Sequence, residues 1–286
     1  MKFFYSFSLK NTPINKKEEI LNKDYWKLST DLVKKHYNEV YLITDLEGEK
    51  FLKHLNFTKI YTVLDKVPKF KNKVLWSLSK IYAYRFIAKN FNSFCHIDHD
   101  VFLWKPIPKF LIESSVFLQS YDVPLWNKNK KSGVYNVHGF YDIKNILYPV
   151  SRKIPNVWEN HIIKPNLNIN LYNMGLFGAN NSEIILNYTK FVIDMVRNPD
   201  YQNVWEFYLD YHNVAVFLEQ LNLGVFFYIN NITPNLYFNS YTNGRFESPL
   251  EYTHLMVHKQ RNDIKNIINN IVNKDPYDLS PKVIFK

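Results

Sequence analysis

The chain has a single cysteine, Cys95, and only seven glycines among its 286 residues. One thiol excludes an internal disulfide and a cysteine-built zinc site, and its apolar neighbours make it a small buried side chain rather than a nucleophile. No apolar run approaches the roughly 20 residues that span a bilayer. The opening residues, Met1-Lys2-Phe3-Phe4-Tyr5-Ser6, turn polar too soon for a secretion signal, so a cytoplasmic location is expected. A long basic arm is also missing. Basic residues cluster only briefly, at 66–73 and 128–131, which weighs against a dedicated nucleic-acid binder.

What is present is ample apolar material, 46% of residues, with 17% aromatic, enough for one large domain or two modest ones. A formal charge of +10 favours an anionic partner: a phosphorylated substrate, an anionic membrane surface or a polyanion. The first third alternates strand and helix patterns. Residues 2–9 read as a strand, Trp26, Val33 and Tyr37 as the stripe of a helix capped by Asp24, and Glu39 to Asp45 as a continuous apolar strand closed by an acid. Residues 47–55 predict a short helix and 59–65 another strand. Continuous apolar strands separated by helices predict a parallel sheet covered on both faces, a βαβαβ layout of the α/β nucleotide-binding kind.

A basic loop leads into a helix whose stripe is Leu75, Leu78, Ile81 and Phe86, while Ser77, Lys80 and Tyr84 share another face. Next comes Phe94-Cys95-His96-Ile97-Asp98-His99-Asp100-Val101-Phe102-Leu103, with two carboxylates one residue apart in a strand-like apolar run. On a strand Asp98 and Asp100 share a face and His99 points away. Two buried acids so close raise each other's pKa unless a divalent metal or basic ligand neutralises them. The alternative is a solvated strand end. Ser115 to Ser120 predicts a further strand, and the loop-rich residues 121–170 are assigned to substrate contact.

Two of the few glycines, Gly175 and Gly178, fall in Asn173-Met174-Gly175-Leu176-Phe177-Gly178, implying a sharp turn or a close approach. A helix capped by Ser182 follows, then one over 205–222 that carries Asp210, Glu219 and Gln220; Gly224 closes it before a strand over 225–229. Near the end, His254, His258, Lys259 and Arg261 stand close together, followed by a last helix around Ile264 to Ile271.

In this order, the βαβ opening, the Ser79-Lys80-Ile81-Tyr82-Ala83-Tyr84-Arg85 helix, Asp98-His99-Asp100, Asn173-Met174-Gly175 and the late histidine and lysine resemble the GT-A glycosyltransferases. The likeness is to their DxD-containing group, with its glycogenin-like and capsular or mannosyl-type sugar transferases. It implies an α/β GT-A fold with a mixed, mainly parallel sheet flanked by helices. The domain would span 1–262, with 1–105 as the donor-nucleotide half, 106–262 as the acceptor and catalytic half, and 263–286 as a C-terminal helix and tail.

By position, the resemblance implies Mn²⁺ or Mg²⁺ on Asp98, Asp100 and His254, bridging the diphosphate of a nucleotide sugar such as a UDP-sugar. It further implies donor contacts from Tyr5, Ser6, Lys80, Arg85, Asp98, Asn173, Gly175 and Lys259. Asp210, Glu219 and Gln220 would act at the reacting centre. The family has a glycine between its histidine and lysine that this chain lacks, so His258 stands as an alternative to His254. The resemblance favours a retaining reaction, with transfer to a glycan or lipid-linked acceptor and peripheral contact with an anionic inner membrane face. Two other classes stay open: a non-catalytic nucleotide or carbohydrate binder on the same fold, and a basic nucleic-acid binder.

Overall fold

The computed structural model describes residues 1–13, 20–68, 76–121, 155–163, 170–207, 217–238, 252–255, 262, 265–266 and 268. Strand β1 (Lys2–Phe7) leads to helix α1 (Lys23–His36), β2 (Val40–Thr44), α2 (Leu46–Leu52) and β3 (Lys59–Tyr61). Helix α3 (Leu78–Asn90), β4 (Phe94–Ile97), β5 (Val101–Leu103) and β6 (Val116–Tyr121) follow. Then come β7 (Tyr172–Ala179), α4 (Ser182–Arg197), α5 (Asn222–Ile229), β8 (Asn235–Phe238) and β9 (Tyr252–His254).

Among the described residues seven strands form one sheet in the order β3-β2-β1-β4-β7-β6-β8. The β3-β2, β2-β1, β1-β4 and β6-β8 pairings are parallel, and β7 runs antiparallel to both its neighbours. The expected α/β architecture, a largely parallel mixed sheet flanked by helices, is present. The sheet runs without a break across both halves of the chain.

Period-two alternation sorts the strand residues between two cores. Phe3, Tyr5, Leu42, Cys95, Ile97 and Leu176 pack on one face with Trp26 and Val33 of α1. Phe4, Tyr41, Ile43, Phe94 and Phe177 pack on the other with Ile81 and Tyr84 of α3 and Tyr188 and Val192 of α4. Because both faces are covered, nearly every strand position is apolar, and a buried aromatic or branched side chain contributes about 1.5–3 kcal/mol. Cys95 is among these buried side chains, as expected.

Several local expectations are corrected. Residues 225–229 are helical, not a strand: α5 is buried over residues 222–227 and apolar from Leu223 onward, with Phe226 against Tyr188 and Phe191 (5.9 and 6.0 Å between ring centres). A short apolar run has no periodicity to distinguish the two states. Gly224 lies inside this helix and does not close one. The caps fall one or two residues earlier than expected. Asn22, not Asp24, accepts from the first backbone N–H groups of α1, and Asn181, not Ser182, does so for α4. The Asn173–Gly178 segment is interior strand, so its glycines serve close approach rather than a turn. The third strand stops at Tyr61, and a 3₁₀ turn covers Val63–Lys66. Most of the expected 121–170 loop lies outside the described residues. Among the described residues no helix is long and apolar enough to cross a membrane.

Candidate metal centre

The sheet order places a topological switch point between β1 and β4. The chain steps outward from β1 to β2 and β3, then returns to the other side of β1 as β4. Loops at the carboxyl ends of such a strand pair diverge and leave a crevice. The carboxylate triplet sits at this point. β4 ends at Ile97, so Asp98-His99-Asp100 is a turn and not strand, closed by the Val101 N–H donating to the Asp98 carbonyl (3.0 Å). This corrects the expectation of shared strand facing: the turn, not the pleat, brings the two acids together. His99 does point away, stacked on Trp26 with ring centres 5.0 Å apart.

Beyond the turn, β5 pairs antiparallel with β9, setting Val101 opposite His254. The Leu255 N–H donates to the Asp100 carbonyl (3.0 Å), completing this small ladder. Two segments far apart in sequence thereby bring Asp98, Asp100 and His254 to one place, with one ligand atom from each within 4.8 Å of the others. Asp100 and His254 are buried in contact, His254 Nε2 standing 3.5 Å from Asp100 Oδ1. Burial works against ionising Asp100, but the His254 ring outweighs it and holds the carboxyl below its ordinary range. Burial likewise opposes charge on His254, and the Asp100 and Asp98 carboxylates raise its pKa.

The other His254 nitrogen, Nδ1, meets Gln119 Oε1 at 2.9 Å, so both ring nitrogens face oxygen acceptors. A neutral imidazole carries one proton and satisfies only one of them. The second position takes either a further ring proton or a cation, and two carboxylates with one imidazole form a donor set suited to a divalent ion. The residues fit a metal.

Lys80 of α3 reaches the same crevice from the other side. Its Nζ lies 2.8 Å from Asp98 Oδ1 and 2.8 Å from Glu219 Oε1. Tyr84, one helical turn on, donates to Glu219 Oε1 (2.7 Å), and Tyr188 of α4 donates to the Glu219 carbonyl (2.7 Å). Burial raises the Glu219 pKa, with Lys80 offsetting part of the effect and Asp98 adding to it. Against its burial, Asp98 and Glu219 hold the Lys80 ammonium above its usual range.

The remaining expected site residues divide. Asn173 Oδ1 accepts from the Gly175 N–H (2.9 Å), and the Gly175 carbonyl accepts from the Asp98 N–H (2.9 Å), so this pair borders the acids. Ser6 Oγ pairs with His96 Nε2 (2.8 Å) beside them. Tyr5 turns to the opposite face, fully buried, its hydroxyl paired with Ser29 (2.8 Å). Arg85 lies about 140° round α3 from Lys80 by helical geometry. Gln220 follows Glu219, its Oε1 buried with no hydrogen-bond partner among the described residues. Asp210, His258 and Lys259 lie outside the described residues. Gln119 and Tyr252 were not anticipated from the sequence. The only prior signal for Gln119 is a polar residue in the apolar strand pattern 116–120.

The family described as "Family of unknown function (DUF6734)" matches residues 1–284. No curated protein matches the chain. Among solved structures, mouse xyloside xylosyltransferase 1 in its apo form is similar at 13% identity and a TM-score of 0.37, over 79% of this chain and 79% of that one. The apo WbbM bifunctional glycosyltransferase is similar at 10% identity and a TM-score of 0.37, over 72% of this chain and 37% of that one. With a match along nearly its whole length, the chain belongs to the DUF6734 family.

Proposed function

We propose that the protein is a divalent-metal-dependent glycosyltransferase. It moves a sugar from a nucleotide-sugar donor, a UDP-sugar for preference, to a glycan or lipid-linked acceptor. One observation carries the reading: Asp98, Asp100 and His254 meet at the carboxyl end of β4, at the switch point where α/β sheets hold ligands. Mn²⁺ or Mg²⁺ bound there supplies positive charge to a diphosphate leaving group.

The chain's own residues have separate tasks. Lys80 turns its ammonium toward the Asp98 side of the crevice, where donor phosphate would arrive, and Glu219 and Tyr84 hold it there. Asn173 and Gly175 line the edge where the transferred sugar would lie, with Lys259 as a further donor contact; Arg85, most of the way round α3 from Lys80, takes no donor role. Asp210, Glu219 and Gln220 are the candidates at the reacting centre. Because the Glu219 carboxylate is already engaged by Lys80 and Tyr84, retention, which needs no protein base, is favoured over inversion. The charge of +10 suits an anionic donor and an acceptor held at an anionic membrane surface.

A thermal-shift screen of nucleoside diphosphates and nucleotide sugars, with and without Mn²⁺, tests the reading. Stabilisation that needs both metal and one nucleotide is expected, worth about 2.7 kcal/mol at a hundredfold excess over Kd. If no nucleotide stabilises the chain with Mn²⁺ present, the transferase reading is lost. Binding of a nucleotide sugar without turnover against any glycan or lipid acceptor would leave a binder on the same fold.

A further inference from the structure

We infer that Gln119 is a positioning residue of the metal centre: its carboxamide oxygen fixes the His254 ring through Nδ1–H, so that the Nε2 lone pair faces the Asp98 and Asp100 carboxylates. The inference rests on the metal-site reading above and adds a residue that reading does not contain.

Gln119 is only 2% exposed, in the middle of β6, where a polar side chain is costly unless its atoms are bonded. Its Oε1 accepts from the Tyr252 hydroxyl (2.6 Å) and meets His254 Nδ1 (2.9 Å). Tyr252 and His254 are two residues apart on β9 and so share one face, while Thr253 faces the other way and accepts from Trp104 Nε1 (3.0 Å). One oxygen on β6 therefore sets both side chains on that face of β9.

Gly175 of β7 leaves room for this meeting. A Cβ there would stand 2.6 Å from Gln119 Oε1 and 2.5 Å from His254 Cε1. With the ring proton held at Nδ1, the Nε2 lone pair confronts Asp100 Oδ1 at 3.5 Å, an opposition of two acceptors that a bound cation relieves in place of a second ring proton. Without the Gln119 oxygen the ring is free to take the other tautomer, with Nε2–H donating to Asp100, which satisfies the pair and removes its demand for a metal. Partners of this kind, bonded to the far nitrogen of a ligating histidine, orient the ring and raise its basicity.

Titration of the full chain with Mn²⁺, followed by the EPR signal of free ion and by nitrogen coupling to the bound ion, tests this. Gln119→Met is expected to weaken Mn²⁺ binding about 10–100-fold and to erase the nitrogen coupling. Gln119→Glu, which keeps an acceptor oxygen in place, is expected to bind within a few-fold of the parent. Wild-type affinity and coupling in Gln119→Met would overturn the inference, as would Gln119→Glu binding as weakly as Gln119→Met. Should Gln119→Met not fold, Gln119→Asn decides. It retracts the oxygen by one methylene, and tenfold weaker binding supports the inference while unchanged binding ends it. A wild-type chain whose Mn²⁺ uptake is insensitive to Asp100→Asn would overturn the metal-site reading itself, a separate result.

Discussion

Glu219 meets Lys80 across the interior, 2.8 Å from carboxylate to ammonium, and the same ammonium lies 2.8 Å from Asp98. One cation from α3 thus links the residue that follows β4 to a segment more than a hundred positions later. With side-chain exposures of 14% and 9%, Lys80 and Glu219 are shielded enough for the contact to matter energetically.

Replacing Lys80 by Met keeps the stem and removes the charge, leaving Glu219 and Asp98 without their shared partner. Loss of one member of a buried pair costs about 3 kcal/mol, expected as a lower midpoint in chemical denaturation. Lys80→Met with Glu219→Leu is expected to recover part of that loss, and a double-mutant cycle measures the coupling. Additive losses in the cycle would show that the pair does not act as a unit. The Lys80→Met protein is also expected to take up Mn²⁺ at least as tightly as the parent, because a competing cation beside Asp98 is gone, while losing nucleotide-dependent stabilisation.

Asp98→Asn and Asp100→Asn each remove a hard anionic oxygen from the proposed centre. Both proteins are expected to fold, to lose Mn²⁺-dependent stabilisation by nucleotide, and to lose on the order of a hundredfold or more in sugar transfer. Donor turnover measured with and without chelator checks this. Equal activity in both variants and in excess chelator would contradict it.

The two β7 glycines are expected to respond differently to alanine. At Gly175 the new methyl meets the hydrogen-bonded ends of His254 and Gln119, at 2.5 and 2.6 Å, and forces that pair apart. Metal affinity falls more than stability does. At Gly178 the methyl runs into the ring of Phe117, packed in the core, and overpacking there costs about 1–3 kcal/mol with little direct effect on the metal. Paired denaturation and Mn²⁺ titrations separate the two outcomes.

Acid is expected to weaken the fold through the buried His96 and the half-buried His36. Burial lowers the pKa of His96, which pairs with Ser6, and of His36, whose Nε2 contacts the Trp104 carbonyl. Between the depressed folded values and the unfolded value of about 6.5, the unfolded chain binds more protons. Stability is therefore full above about pH 6.5 and falls as the pH drops below it, by up to about 1.4 kcal/mol per unit for the buried His96 and by less for the partly exposed His36, which solvent screens. Denaturation midpoints at pH 7.5, 6.5 and 5.5 follow the trend, and His96→Asn is expected to flatten it.

The strand and helix order of the first hundred residues was legible because buried parallel strands are apolar at every position and the helices between them carry stripes. That reading stops where a pattern is two-valued. Residues 223–229 form an apolar run, which suits a buried helix as well as a buried strand, and only packing against α4 decides between them. In the same way the glycines of β7 announced a constraint without saying which. The structure shows it to be room for His254, Gln119 and Phe117.

For the site, the sequence by itself determined the chemical inventory: two acids one residue apart after an apolar strand, a lysine on the preceding helix, and histidines near the end. Their spacing alone could not say that Asp98 and Asp100 converge through a turn, nor that β9 returns to lay His254 beside them. It gave no hint that Gln119 and Tyr252 would stand behind the ring. Those relations belong to tertiary structure, because strand pairing joins residues by register across a sheet, and register is set by the packing of the whole fold rather than by any local run.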